Sequence, residues 1–155
     1  IPPCHGGVRG SIPRRTATLI MNIVTLSLLI LCYSLVLGII FAQVLLTAPV
    51  VFKVLDNQNA SNFLRKIFPR YYLLLLLITL VALLVSYLFF QQTDVYFALT
   101  AVCFSFLGYV IIPLTNAARD RGWEKVFKFF HNFSVFNTLI ILVISLTQIV
   151  RVTYL

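Results

Sequence analysis

Four stretches of the chain hold no acidic or basic residue: 16–52, 71–93, 95–118 and 129–150. A helix needs about 20 apolar residues to cross the hydrocarbon core of a bilayer, and each stretch is long enough. Polar residues collect between them, so the pattern predicts four spanning helices over about 21–47, 71–90, 95–112 and 133–150. Pro49 follows the first span and Pro113 is expected to stop the third. The second holds 14 Leu, Ile, Val or Phe between Leu73 and Phe90, which favours insertion by roughly 4–8 kcal/mol. The fourth is the weakest, because Asn137 and Gln148 must be satisfied inside it.

The connections carry a second pattern. Ala60, Phe63, Leu64, Ile67 and Phe68 recur at helical spacing with Arg65 and Lys66 opposite. Trp123, Val126, Phe127 and Phe130 do the same, with Glu124, Lys125 and Lys128 on the other side. Such basic amphipathic turns suit the membrane interface, with Trp at headgroup depth. The predicted fold class is therefore all-α: an integral membrane four-helix bundle with short amphipathic helices in the 1–2 and 3–4 loops. Each loop follows a proline, which hints at two copies of one helical hairpin.

Composition narrows the class further. With 61% hydrophobic residues and only 10% charged, the chain is neither an ordinary soluble domain nor a disordered one. The net charge of +8 would suggest nucleic acid in a soluble chain, but here the loops consume the bases. No nucleic-acid partner is expected. Lys53, Arg65, Lys66 and Arg70 lie in the 1–2 loop, and Arg119, Arg121, Lys125 and Lys128 in the 3–4 loop. The 2–3 turn, Gln91 to Asp94, has no base, and Arg151 is the only one after span 4. From Met21 onward the positive-inside rule then puts both basic loops in the cytoplasm and both termini outside, while Arg9, Arg14 and Arg15 of the first twenty residues run against it. Expected partners are the bilayer itself, anionic headgroups at the basic loops (Arg65, Lys66, Arg70, Lys125 and Lys128), and either a second copy or another membrane protein.

Residues 1–20 hold three prolines and three glycines, and the sole methionine is Met21. They are expected to be a disordered or non-native leader, with 21–155 as the membrane domain. Cys4, Cys32 and Cys103 have no metal or disulfide spacing.

Inside the predicted spans there is no Asp, Glu, Lys or Arg, which argues against proton relays, carboxylate metal sites and a charged-substrate path. Small residues recur at helical spacing instead: Ser34, Gly38 and Ala42; Thr79, Ala82 and Ser86; Ala98, Ala101, Ser105 and Gly108. Such faces let helix backbones approach closely. The best polar cluster is His131, Ser134 and Asn137 at the start of span 4. His131, Ser134 and Thr138 fall within about 60° on a helix, with Asn137 further round. Its expected role is structural, with His131 anchoring the helix at the interface and Ser134 and Asn137 bonding neighbouring helices. The alternative makes His131 a haem or metal ligand, which needs a second histidine from another copy. No catalytic residue, metal site or cofactor is expected.

Several of these features, in order, resemble the domain of unknown function 4149 family of transmembrane protein 205-like membrane proteins. They are Gly38, Phe41 and Pro49-Val50-Val51-Phe52; Phe68-Pro69-Arg70-Tyr71-Tyr72; Ile112-Pro113-Leu114-Thr115-Asn116; Arg119-Asp120; and His131-x-x-Ser134-Val135-x-Asn137. The family often has Leu where this chain has Phe130. The resemblance implies a four-helix protein of a bacterial inner membrane and no established reaction. The expected function is a non-enzymatic accessory or scaffolding role. A membrane redox protein using His131 comes second. A small transporter with a polar cavity near Asn137, Gln43 or Gln148 comes third.

Overall fold

The computed structural model describes residues 14–154, with side chains from Leu19 onward. Among them there is no strand, and four long apolar helices form a membrane bundle. The first is compound: α1 (Arg14–Phe41) runs through a π-helical stretch, Ala42–Thr47, into α2 (Ala48–Val54). Then come α3 (Asn57–Phe89), α4 (Gln92–Asp120) and α5 (Glu124–Thr153). Because α1 starts at Arg14, residues 14–20 of the expected leader are helical; its earlier part, with Cys4, lies outside the described residues.

The helices close in a ring: α3 packs on α4, α4 on α5, and α1 on both α3 and α5. Large apolar side chains point outward all round, with Leu84 and Val143 each 58% exposed. Water would penalise that surface, whereas lipid does not. Inside, two apolar layers stack. One joins Val36, Ile40, Tyr72, Leu75, Ile112 and Ile141. The other joins Leu29, Cys32, Tyr33, Ala82, Val85 and Val152.

Two of the three small-residue faces turn inward, one on α3 and one on α4. Thr79, Ala82 and Ser86 are buried, as are Ala98, Ala101, Ser105 and Gly108. The third face is corrected by the structure: Ser34, Gly38 and Ala42 are exposed, and a Cβ built on Gly38 would meet nothing within 4 Å. The inward stripe of α1 is Leu29, Tyr33, Val36 and Ile40, whose larger side chains gain more dispersion from burial than the small ones would.

Prolines behave differently from expectation. Pro113 does not stop α4, and Pro69 lies inside α3. Each removes one ladder bond within its helix, a cost the packed neighbours absorb. Pro49 is more disruptive. It lacks an N–H, and its ring would clash with the Leu45 carbonyl in a regular helix. The wider π turn just before it relieves that clash. Likewise, the basic amphipathic segments are helical but not separate. Residues 60–68 are the first turns of α3, and 124–130 the first turns of α5. Pro69 directly follows the first without ending the helix, and no proline or glycine follows the second, so both propagate into their spans. At 33 residues α3 is about 50 Å long, against a core of about 30 Å, so its basic turns extend beyond the apolar layer.

Two turns fix the register. Gly122, at φ 69°, reverses the chain between α4 and α5 while Trp123 N–H donates to the Ala118 carbonyl at 3.0 Å, as in a Schellman cap. At the start of α3 the Asp56 side chain accepts from the Asn59 backbone N–H at 3.4 Å and from its side-chain amide at 2.5 Å. These bonds from Asn59 hold the Asp56 carboxyl below its usual range. A depressed folded value means the cap stabilises above the unfolded value of about 3.9 and is lost as pH falls through the folded one. Asp56→Ala should therefore speed amide exchange across the first turn of α3 at pH 7. At pH 2 the variant and the parent should exchange alike.

Candidate functional site

The π turn steers the first helix away from its neighbours at one end of the bundle. Among the described residues, 42–47 packs only on α1 and α2, while α2 reaches only that stretch and α3. The backbone of neither comes close to α5, although that of α1 does further along. The gap is a cavity of about 530 Å³, within the range of small-molecule sites. Its walls are apolar, with Ile40, Val44, Phe68, Ile112, Leu139 and Leu142 among them. Its polar groups come from every helix: Gln43, Arg65, Tyr71, Asn116, Arg119 and His131.

Three of those groups hold unspent donors. Gln43 and Tyr71 are buried, 8% and 6% exposed, yet Gln43 Nε2 and the Tyr71 hydroxyl have no hydrogen-bond partner. Arg65 gives both terminal nitrogens to Asp120, with Nη1 to Oδ2 at 3.0 Å. Its Nε–H is buried and unpartnered. That ion pair joins the start of α3 to the end of α4, so the two basic connections lie at one end of the bundle. Arg119 lies over the Phe127 ring, 5.6 Å from its centroid, and no acidic residue lines the cavity.

The polar cluster foreseen at the start of span 4 divides between two neighbours. Ser134 and Thr138 face α3, where the Tyr72 hydroxyl sits 2.9 Å from each side-chain oxygen. Thr138 donates to the Ser134 carbonyl at 3.0 Å, which leaves its oxygen free to accept from Tyr72. The Tyr72 ring gets there by lying flat against Gly108 of α4. Asn137 turns the other way and donates to the Phe104 carbonyl at 2.9 Å. His131 is exposed, stacks on Phe127 with ring centroids 6.0 Å apart, and stands on the cavity wall. Lys66, Arg70, Lys125 and Lys128 are exposed around the same end.

The far end holds a cluster that the charge pattern misplaces. Asp94, expected at the end of the 2–3 turn, is the third residue of α4 and is fully buried. Its Oδ1 accepts from Arg151 Nε at 3.0 Å and from Gln148 Nε2 at 3.3 Å. Arg151 also reaches the Thr93 hydroxyl and lies over the Phe97 ring. So the bundle does bury one carboxylate, and Arg151 is its partner rather than a free terminal base. Of Gln43, Asn137 and Gln148, it is Gln43 that lines the cavity at the basic end. Tyr71, Tyr72 and Asp94 are the residues that periodicity alone does not single out. Asp94 and Arg151 were nonetheless findable, being the acid and the base that a four-span topology brings to the far end.

A model of the family described as "Domain of unknown function (DUF4149)" matches residues 31–124, more than half of the chain. The matched stretch takes in Gln43, Arg65, Tyr71, Tyr72, Asp94 and Gly108, and stops before His131. No curated protein and no solved structure matches the chain.

Proposed function

The chain belongs to the DUF4149 family, and from that premise we propose that it is a non-enzymatic accessory protein of a bacterial inner membrane that engages anionic lipid at its basic end. The observation that carries this reading is the charge asymmetry of the bundle. Eight bases, from Lys53 to Lys128, collect at one end with only Asp56, Asp120 and Glu124 against them. At the other end Asp94 pairs with Arg151, and Arg14 and Arg15 open α1, so the basic loops still hold most of the bases. A cluster of bases beside a membrane attracts acidic headgroups by about 1 kcal/mol per residue. The same asymmetry supports an orientation with the basic end in the cytoplasm and both termini outside. Buried hydroxyls and amides around the His131 cluster are engaged in joining helices, which supports a scaffolding role for Ser134, Thr138 and Asn137.

Trp123, the only tryptophan, stands at the basic end and reports on the lipid there. In reconstituted vesicles, brominated phosphatidylglycerol should quench it more strongly than brominated phosphatidylcholine. Replacing Lys66, Arg70, Lys125 and Lys128 together with Gln should remove the difference. Equal quenching of the parent protein by both lipids would refute the reading.

A further inference from the structure

We propose that the cavity between the π turn, α3 and α5 is a binding site for one acyl-chain amphiphile with an anionic, oxygen-rich head. The inference deepens the anionic-lipid reading and rests on it for the charge of the head, but it concerns an inner site rather than the exposed lysines. Its polar side offers donors and lacks acceptor charge. Gln43 Nε2, the Tyr71 hydroxyl and Arg65 Nε–H are buried without partners, and Arg119 and His131 line the same space. Thr138, the neighbour of Tyr71, donates to the Ser134 carbonyl and pairs with Tyr72, and no hydrogen bond of acceptable geometry joins it to Tyr71. Leaving several donors unmet is costly unless something accepts from them. A phosphate or carboxylate meets that need, because charged acceptors form the stronger bonds. No water-sized gap adjoins the three donors as they stand, so a ligand meets them only by turning their side chains toward the cavity. Water would not satisfy the apolar remainder of the wall, from Ile40 and Val44 across to Leu139 and Leu142. A chain of methylenes does, and the side of the cavity is open to lipid where Phe41, Val44 and Leu45 stand exposed. The head therefore lies among Gln43, Arg65 and Tyr71, with the acyl chain along the gap that α2 leaves beside α5.

The test is native mass spectrometry of the full chain, stripped of lipid in a mild nonionic detergent and then given one probe at a time. The probes are dioleoyl phosphatidylglycerol, dioleoyl phosphatidylcholine, oleate and inorganic phosphate. One retained equivalent of phosphatidylglycerol or of oleate is expected, and whichever is held more tightly identifies the source as a bilayer phospholipid or a free fatty acid. Gln43→Leu with Tyr71→Phe removes two donors and should weaken retention by roughly tenfold or more. Ala48→Phe fills the cavity from α2, which packs on little else, and should abolish retention while leaving the fold intact. Phosphatidylcholine held as well as phosphatidylglycerol, phosphate held without a chain, or retention unchanged in Ala48→Phe would each overturn the proposal. If only the inner site fails, the Trp123 preference for phosphatidylglycerol survives; if that is lost too, the lipid reading falls with it.

Discussion

Arg151→Leu is expected to destabilise the bundle by about 3–5 kcal/mol, the range seen when one partner of a buried ion pair is removed. Asp94 is fully buried, and Arg151 is the cation within salt-bridge distance of it. The Gln148 amide remains as a donor at 3.3 Å, but one neutral bond does not replace a charge. The Arg151 side chain keeps 30% of its surface exposed, which favours the lower part of that range. Adding Asp94→Asn to Arg151→Leu removes the stranded charge, and the double variant should recover most of the loss. Unfolding of the solubilised protein by increasing sodium dodecyl sulfate gives the four free energies of the cycle. Simple addition of the two single losses would mean that the pair is not coupled.

Gly108→Ala should be the second most damaging change. A Cβ at that position would fall 2.6 Å from Tyr72 Cζ and closer still to two other ring carbons. The ring has little room to yield, because its hydroxyl is held by Ser134 and Thr138 on a third helix. Overpacking of this kind costs about 1–3 kcal/mol, opposed by the roughly 1 kcal/mol that Ala gains over Gly in a helix. In a Tyr72→Leu background the obstacle is gone, and Gly108→Ala should become neutral or stabilising. The same loss in both backgrounds, measured by the same denaturation, would show that the clash is not what Gly108 avoids.

These two sites show what could be learned from the chain alone. Span number and the gathering of the basic connections follow from charge-free runs, because lipid excludes ionised side chains so strongly. The small faces of α3 and α4 were legible for a similar reason, since few residues let two backbones come close. Tyr72 was harder. Its neighbours Gly108, Ser134 and Thr138 lie on two other helices, and no local period relates them. Gly38 failed in the opposite sense: its stripe is regular, but spacing says nothing about which side of a helix is turned inward. Proline positions misled because the cost of a missing N–H depends on what packs around it. Pro69 and Pro113 sit within continuous helices, whereas Pro49 coincides with the π turn that opens the cavity.

The pairing of Asp94 with Arg151 also bears on the order in which the protein is made. Synthesis runs from the amino end, so α3, the turn at Phe90 and α4 are complete before α5 exists. During that interval Asp94 belongs to an unfinished three-helix assembly with its cation still unsynthesised. It must stay hydrated at the membrane surface, and the end of α4 must remain unsealed. The arrival of Gln148 and Arg151 with the final turns of α5 lets that end dry and lock. A nascent chain cut short before Arg151 therefore carries a built-in mark of incompleteness, a lone carboxylate where the finished protein has a neutral, closed seam.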